Sequence, residues 1–410
     1  VVERFNAWRL GSEAAEASDE LSGEVVVVSW GGSYQAGQRE AYWEPFQEET
    51  GVKVIEAESP EHARIKAQVD SGKPEWDLVT TGLSALLELG PDYFEPIAYD
   101  QYPEAYGNIP DNMKKEHGIV GATFCYGLVY RTDVFGEGEA PQTWADFWNP
   151  EQFPGPRAMA LDAGVPWNSV DAAWVSAGND GSTLPQMDLD VVFEQFDKLE
   201  PHIAKWWGSG AEALQLLASQ EVVMAIAPTG DILGLLEQGV PVAISWDNAF
   251  CGNDWWYILK GSRNVDAAQA LLASMQNPQH QADFASIVPF GVPNPEAYDY
   301  ISPEAASMLP TAPDHADKIV LLEAERSAWW AENRETVVER FNAWRLGGDT
   351  AEASDEDACG FDFVIGTNGD GKIVNPILDV DTGGFYRTDM MFDSLVDLDL
   401  NTLAPIPHLA

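Results

Sequence analysis

The stretch VVVVSWGGSYQAGQREAYWEPFQEETGVKVIEAE, residues 25–58, decides the fold of this chain. Four consecutive valines form an apolar run that ends in a pair of glycines, which is typical of a buried strand running into a turn. The following segment has the apolar spacing of a helix and ends at a glycine. A second apolar run, VKVIEAE, comes next. Strand, turn, helix and strand in this order predict a unit of a parallel α/β sheet.

The same alternation continues along the chain. PEHARIKAQVDSG predicts a helix, WDLVTTG a third strand and LSALLELG another helix. Two much longer extended stretches follow, GIVGATFCYGLVYRTDVF at 118–135 and VPVAISWDNAFCGNDWWYIL at 240–259. They predict two crossover strands between two α/β lobes, with the chain leaving the first lobe near Phe124 and returning near Gly252. Because ligands of open parallel sheets bind at the carboxyl ends of strands, we expect the site in the cleft between the lobes.

Length and composition limit the possible classes of protein. A chain of 410 residues, 45% of them hydrophobic, suits two or three packed domains. No run approaches the roughly 18 apolar residues of a membrane-spanning helix. The net charge is -45, and the 22 basic residues are scattered, so neither nucleic acid nor a membrane is an expected partner. The acidity fits either a surface solvated in salt water or attraction of cationic ligands.

Motifs for catalysis or metal binding are missing from the sequence. There is no nucleophile elbow, no HExxH, no phosphate-binding loop and no dinucleotide fingerprint. The six histidines are scattered, and the three cysteines lack the spacing of a metal site. We therefore predict no catalytic residues, no cofactor and no metal, and a binding protein rather than an enzyme.

Four segments carry a resemblance to a known family: VSWGGSYQAGQREAYWEPFQEETGVKV, QTWADFWNPEQFPGPRAM, KWWGSGAEALQLLASQEVVMAIAPTG and WWYILKGSRNVDAAQALL. Over residues 24–346 the chain resembles the periplasmic solute-binding proteins of ABC transporters, in particular the spermidine/putrescine-binding type. The resemblance implies the type II periplasmic-binding-protein fold, with two α/β lobes joined by a two-strand hinge that close on a small solute. It also implies a monomeric extracytoplasmic receptor, periplasmic or lipid-anchored, that delivers its solute to an ABC-transporter permease.

The resemblance predicts where the lobes begin and end. Lobe 1 comprises residues 24–123 and 252–301, and lobe 2 comprises residues 124–251 and 302–347. Cys125 and Cys251 then lie on the two hinge strands, side by side, either as a disulfide or as two neighbouring thiols. Cys359 is expected to be a free thiol in either case.

The two ends of the chain repeat one another. Residues 1–20 and 337–356 match at all but three of 20 aligned positions. The second copy completes the terminal amphipathic helix that the resemblance implies, so residues 1–23 are interpreted as the tail of a preceding module plus an acidic linker. Residues 348–360 form a second acidic linker, and residues 361–410 resemble the start of an oligopeptide- or dipeptide-binding protein. Tandem binding modules are therefore predicted.

A polyamine-like dication needs carboxylates at its ammonium ends and aromatic walls along its methylenes. Mapped by motif, the resemblance implies thirteen ligand-binding residues: Trp30, Ser33, Tyr34, Thr81, Ser84, Asp162, Thr229, Asp231, Trp246, Asp247, Asp254, Trp255 and Phe290. The chain departs from the polyamine pattern at Phe290, where the family often has tyrosine, and at residues 227–229, where it lacks a tryptophan. An amino-acid-derived, betaine-like or sugar ligand stays an alternative. So does a scaffold of tandem modules without transport function.

Overall fold

The computed structural model describes residues 23–135, 138–321, 323–346, 396–398 and 405–407. Contacts divide the chain into a unit Val1–Phe341 and a unit Asn342–Ala410, and the fold and site below belong to the first. Several predictions lie outside the described residues: the first linker, the second linker with Cys359, and nearly all of the segment 361–410. Within the described residues, no helix is both long enough and apolar enough to cross a membrane.

Five strands of the first unit match the extended runs predicted from the sequence, and four further strands were not predicted. In chain order β1 to β9 are Glu24–Ser29, Lys53–Glu58, Leu78–Gly82, Lys114–Lys115, Gly118–Arg131, Arg157–Ala160, Ile203–Trp207, Met224–Pro228 and Val242–Ile258. In the second unit, β10 (Val396–Leu398) and β11 (Pro405–Pro407) pair antiparallel.

Helices alternate with these strands. In chain order α1 to α14 are Gly32–Gln38, Glu44–Thr50, His62–Asp70, Leu83–Leu89, Pro103–Tyr106, Trp144–Phe147, Trp167–Ser176, Leu189–Leu199, Gly210–Ala218, Ile232–Glu237, Val265–Ser274, Pro278–Ile287, Pro303–Ala306 and Glu323–Arg345. A π-helical turn, Arg39–Trp43, connects α1 to α2. In α8, Val192, Phe196 and Leu199 are buried one helical turn apart, and the Asp188 side chain caps the first turn.

The sheet consists of two parallel groups joined by two long antiparallel strands. Its order is β2-β1-β3-β9-β5-β8-β6-β7, with β4 paired to the start of β5. The first group, β2-β1-β3, is parallel, and so is the second group, β8-β6-β7. Between them, β5 and β9 pair with each other antiparallel along most of their length. The alternation of strands and helices predicted from the sequence is therefore present.

The two long strands are the predicted crossovers. Phe124 of β5 lies directly opposite Gly252 of β9, at the positions where the sequence predicts that the chain leaves and re-enters the first lobe. On one side of this pair β9 continues into its pairing with β3 of the first group, and on the other side β5 continues into its pairing with β8 of the second group. The exact lobe boundaries stay a prediction.

The core follows the two faces of the first strand group. Val25 and Val27 of β1 face one cluster together with Trp43 and Trp256. Val28 faces a second cluster that contains Trp76 and, from β9, the Trp255 ring. In the second half, the largest fully buried side chains include Trp144, Phe147 and Trp207. Because successive residues of a strand face opposite sides, the four valines of β1 supply both layers.

Candidate functional site

Asp254 lies at the carboxyl edge of the first strand group. It belongs to β9, pairs with Gly82 at the end of β3, and is only 7% exposed. Trp30, the first residue after β1, donates a hydrogen bond from its indole nitrogen to Asp254 Oδ1 at 3.2 Å. The Trp30 ring is otherwise 49% exposed, so one face of it is open to a ligand. Two of the predicted site residues, Trp30 and Asp254, are therefore in direct contact.

Tyr34 adds a phenol to this carboxylate. The Tyr34 hydroxyl is buried and makes no hydrogen bond to a described residue. Burial, followed by the charge of Asp254, raises the pKa of Tyr34 well above its ordinary value. A neutral hydroxyl is therefore held beside the carboxylate at any physiological pH. The Tyr34 ring continues into an aromatic wall, with centroids 5.3 Å from Phe290 and 5.8 Å from Phe284.

The turn after β1 is built to hold these side chains in place. The Ser29 hydroxyl donates to Gln38 Oε1 at 2.7 Å, and the Gly31 N–H donates to Gln35 Oε1 at 3.0 Å. Gly31 has a φ of 78°, and the Glu58 carboxylate packs against it, so a side chain here would be strained and crowded. Two glutamines of α1 therefore fix the loop that carries Trp30.

A second group of polar side chains surrounds Tyr126 of β5, at the carboxyl ends of β6 and β8. Burial, then the charges of Asp162 and Asp231, raise the pKa of Tyr126 to about 12, and Arg326 acts against them. Asp231 is exposed to solvent, yet the protein around it raises its pKa by desolvation. Asp162 and Asp231 thus bring two acidic groups to the same end of β5 as Tyr126.

Arg326 comes from α14 and was not predicted as a site residue. Its Nε donates to Asp171 Oδ2 at 2.7 Å, and its Nη2 donates to Asn168 Oδ1 at 3.0 Å. Asp171 is fully buried, and burial raises its pKa although Arg326 opposes that change. This guanidinium is therefore tied to α7, close enough to Tyr126 to influence its pKa.

Two phenylalanines lie between these two groups, each seated on a glycine. A Cβ placed on Gly252 would approach Phe124 Cζ to 2.8 Å, so the ring edge lies directly over that backbone. A Cβ on Gly230 would collide with Phe290 in the same way. The two rings are 6.5 Å apart. Phe290 was predicted; Phe124 and Tyr126 were not.

Some predicted residues lie near the site without a contact that points to a ligand. Ser33 is exposed in the first turn of α1, and Ser84 is half-buried in the first turn of α4, at the same edge of the sheet. Thr229 is buried, and both its N–H and its hydroxyl donate to the Cys125 carbonyl, at 2.9 and 3.2 Å. Thr229 therefore anchors the loop that carries Asp231 to the hinge.

The structure does not bring the remaining predicted residues to this site. The Trp255 ring is buried in the core, and Thr81, which pairs with it across the strands, is buried as well. Successive residues of a strand face opposite sides of the sheet, so Trp255 and Thr81 face away from the side on which Asp254 lies. Trp246 stacks on His315 at 4.7 Å. Asp247 lines a separate cavity of about 890 Å³ with Asp180 and Lys318.

Trp246 and Asp247 lie away from the predicted site for a local reason. Between the pairs Tyr126–Phe250 and Leu128–Ser245 the register of β5 and β9 shifts, so residues 246–249 form a bulge in β9. Asn248, inside the bulge, has a φ of 52°. The bulge turns these side chains away from the cleft.

The hinge strands are linked covalently. Cys125 and Cys251 lie directly opposite one another, with Cα atoms 4.1 Å apart, and their sulfurs form a disulfide. Among the described residues, no group of three or more histidine, cysteine, aspartate or glutamate side chains is arranged to hold a metal ion.

Comparison with known proteins connects this geometry to a family. Residues 41–313 match the family described as bacterial extracellular solute-binding protein. A gamma-aminobutyric acid-binding protein of Pseudomonas aeruginosa is 31% identical over 342 residues, which cover 82% of this chain and 94% of that protein. A spermidine/putrescine-binding periplasmic protein of Salmonella typhimurium is 22% identical, covering 75% of this chain and 88% of that protein.

Solved structures give the same result for the fold. The structure of an ABC transporter substrate-binding protein from Bradyrhizobium japonicum matches with a TM-score of 0.68 and 30% identity, covering 78% of this chain and 99% of that one. The structure of the Atu4243-GABA receptor matches with a TM-score of 0.66 and 26% identity, covering 78% and 97%. The predicted class, two α/β lobes of the type II periplasmic-binding-protein fold, is confirmed.

Proposed function

The chain belongs to the bacterial extracellular solute-binding proteins, and from that premise we propose that it is an extracytoplasmic receptor for a short ω-amino acid of the gamma-aminobutyrate kind. Members of this family are receptors of ABC transporters rather than enzymes. The receptor binds the ammonium group of the solute at Asp254 and hands the solute to the permease of an ABC importer. The polyamine specificity predicted from the sequence becomes the second candidate.

The observation that carries the proposal is the environment of Asp254. A carboxylate that is almost fully buried costs free energy unless it is paired with a cation or with hydrogen-bond donors. The Trp30 indole donates to one oxygen, and the Tyr34 hydroxyl lies beside the group. A primary ammonium bound here would meet the carboxylate and the open face of Trp30 together, which combines an ion pair with a cation–π contact.

The other end of the solute would lie near Tyr126. Arg326 lies in this neighbourhood, and an arginine fork suits a carboxylate. This favours a solute with an ammonium at one end and a carboxylate at the other. The relatives named for gamma-aminobutyrate, one of them 31% identical, support the same assignment.

A diamine or polyamine is the second candidate. Asp162 and Asp231 both act on Tyr126, so this end of the cleft carries two acidic groups as well as one guanidinium. Arg326 is already paired with Asp171, which reduces its influence on a ligand. Two ammonium groups could then be bound, one at Asp254 and one at this pair. The relatives named for spermidine and putrescine support this alternative.

Isothermal titration calorimetry of the purified protein tests the proposal. We expect gamma-aminobutyrate to bind, and Asp254→Asn to weaken binding at least about 30-fold, since losing one partner of a buried ion pair costs about 2 kcal/mol or more. Asp247→Asn is the matched control, because Asp247 lies on the same strand but lines the separate cavity. It should leave the affinity unchanged.

A panel of ligands separates the candidates. Binding of gamma-aminobutyrate without putrescine or spermidine supports the first, and the reverse supports the second. Binding of a sugar alone would contradict the ammonium site at Asp254, and binding of glycine betaine alone would contradict a primary ammonium there. Family membership would stand in each of these cases.

A further inference from the structure

We propose that Phe124 is the residue that sets the length of the solute, by forming the floor beneath its methylene chain. This inference rests on the proposed function, because it assumes an ammonium group at Asp254. It concerns a residue that makes no polar contact and that the sequence motifs do not include.

The strand register places Phe124 between the two ends of the site. Asp254 lies opposite Ala122, Phe124 lies opposite Gly252, and Tyr126 follows two residues later. Residues two apart on a strand face the same side and are roughly 6.6 Å apart. Phe124 therefore lies midway along the face of the hinge strands that leads from the ammonium site to the group around Tyr126.

Gly252 explains how the tip of the ring comes to lie against this face. Its missing side chain leaves the backbone bare, and the Phe124 ring covers it, with Cζ 2.8 Å and both Cε atoms 3.3 Å from where a Cβ would be. Phe290 lies beside this ring, with the two centroids 6.5 Å apart and the ring planes at 45°. Phe290 in turn is seated on Gly230, a residue of the second strand group's loop. The ring is therefore restrained by the Gly252 backbone and by Phe290 beside it, while the half-buried Phe124 side chain keeps part of its surface open.

The size of the ring limits how many methylenes fit above it. A chain that binds Asp254 must pass over Phe124 to bring its far end to Tyr126. A solute with one methylene too many must bend its chain to keep both ends bound, and the Phe124 ring occupies the space into which the chain would bend. One extra or missing methylene in an apolar pocket changes affinity by about 10- to 200-fold. The wild-type protein should accordingly show a sharp optimum in chain length.

Phe124→Ala tests this with a homologous series: 3-aminopropionate, gamma-aminobutyrate, 5-aminovalerate and 6-aminohexanoate, together with the diamines of matching length. Dissociation constants are measured by calorimetry for each variant. We expect the alanine variant to bind the solute that the wild-type protein prefers about 10- to 100-fold more weakly than the wild-type protein does. It should bind a solute one or two methylenes longer at least as tightly as the wild-type protein binds that longer solute. The preferred length therefore increases.

Three further variants make the outcome decisive. Phe124→Leu, a milder change, replaces Phe124→Ala if the latter fails to fold by circular dichroism, and it should shift the optimum in the same direction. Phe124→Tyr should keep the wild-type ranking. Tyr130→Ala, on the same strand and packed against Phe135, is the matched control and should also keep the ranking.

Two results would overturn the inference. If Phe124→Ala or Phe124→Leu weakens every member of the series by the same factor, the ring is only structural, while the proposed function stands. If the wild-type protein binds no member of either series, the proposed function fails and this inference fails with it. The wild-type titrations alone distinguish the two failures.

Discussion

At the scale of single residues, the site is a carboxylate whose surroundings are arranged before a solute arrives. The Trp30 indole donates to Asp254, the Tyr34 phenol lies beside that carboxylate, and the Gln35 and Gln38 side chains hold the loop that carries Trp30. Groups that are already ordered lose little conformational entropy on binding. The solute therefore meets a prepared site rather than a flexible one.

Arg326 gives a residue-scale prediction about stability. Arg326→Met should lower the free energy of unfolding by about 3 to 5 kcal/mol, because it leaves the fully buried Asp171 without its cationic partner. Urea unfolding followed by tryptophan fluorescence measures the change.

The double variant Arg326→Met with Asp171→Asn is the control for this prediction. Removing both charges leaves no unpaired ion in the interior, so the double variant should be more stable than Arg326→Met alone. Arg340→Met is the exposed comparison, since its partner Asp190 is largely in solvent, and the loss there should be below about 1 kcal/mol. Equal losses at the two arginines would contradict the argument.

The sequence could predict part of the site but not all of it. Trp30, Tyr34 and Asp254 were predicted from motifs of the family: Trp30 and Tyr34 follow β1, and Asp254 lies inside β9 just past the return crossover at Gly252. Trp255 was assigned with Asp254 because the two are adjacent in sequence, yet adjacent residues of a strand face opposite sides. Phe124, Tyr126 and Arg326 were missed because their place depends on pairing between distant segments. Only the register of β5 with β9 and the contact of α14 with α7 reveal them.

At the scale of elements, β5 and β9 serve both as crossovers and as the floor of the cleft. Their extent was predictable from two unusually long extended stretches of sequence. The bulge at residues 246–249 was not, because a bulge changes the register without changing the apolar pattern. It is held from outside, where Trp144 Nε1 donates to the Asn248 carbonyl at 2.9 Å. Trp246 and Asp247 therefore lie behind the hinge.

The bond between Cys125 and Cys251 gives an element-scale prediction. The bridge closes a loop of 126 residues, so replacing both cysteines by alanine should reduce the free energy of unfolding by about 2 to 5 kcal/mol. Urea unfolding of the double variant against the oxidised wild type measures this. Adding a reductant should lower the stability of the wild type and leave that of the double variant unchanged.

Counting thiols checks the premise of that experiment. In the unfolded protein without reductant, mass spectrometry after alkylation should find one modified cysteine, and with reductant three. Cys359→Ser is the matched variant; it should remove one modification under both conditions and leave stability as it was. Three modified cysteines without reductant would show that the hinge strands carry thiols and not a bridge.

At the scale of the whole molecule, both parallel groups present the carboxyl ends of their strands to the same pair of hinge strands. Asp254 with Trp30 comes from the first group's edge, and Asp162 with Asp231 comes from the second. The strands of the second group were not predicted, but the first group and the two long strands, and hence the edge at Asp254, could be predicted from the sequence alone. The chemistry at the far end of the cleft could not, because it combines acidic groups and a guanidinium from three separate segments.

The whole-molecule prediction concerns charge. The chain carries 67 acidic and 22 basic residues, so most carboxylates have no basic partner and repel one another. The Debye length falls from about 30 Å at 0.01 M salt to about 3 Å at 1 M, which screens repulsion between neighbouring surface charges. We expect the free energy of unfolding to rise by at least about 1 kcal/mol over this range, and Tm by roughly 2 to 4 °C or more. Differential scanning calorimetry in NaCl measures both.

Two comparisons isolate screening from other effects of salt. Sucrose at matched osmolality stabilises proteins by exclusion without screening charge, so it should not reproduce the steep rise at low concentration that screening produces. Lowering the pH to 5 keeps most exposed carboxylates ionised, and the salt dependence should persist there. At pH 3 most carboxylates are protonated and the net charge becomes positive and smaller in magnitude, so the salt dependence should become much weaker. A Tm that is independent of salt at pH 7 would mean that the negative charges are too far apart to destabilise the fold.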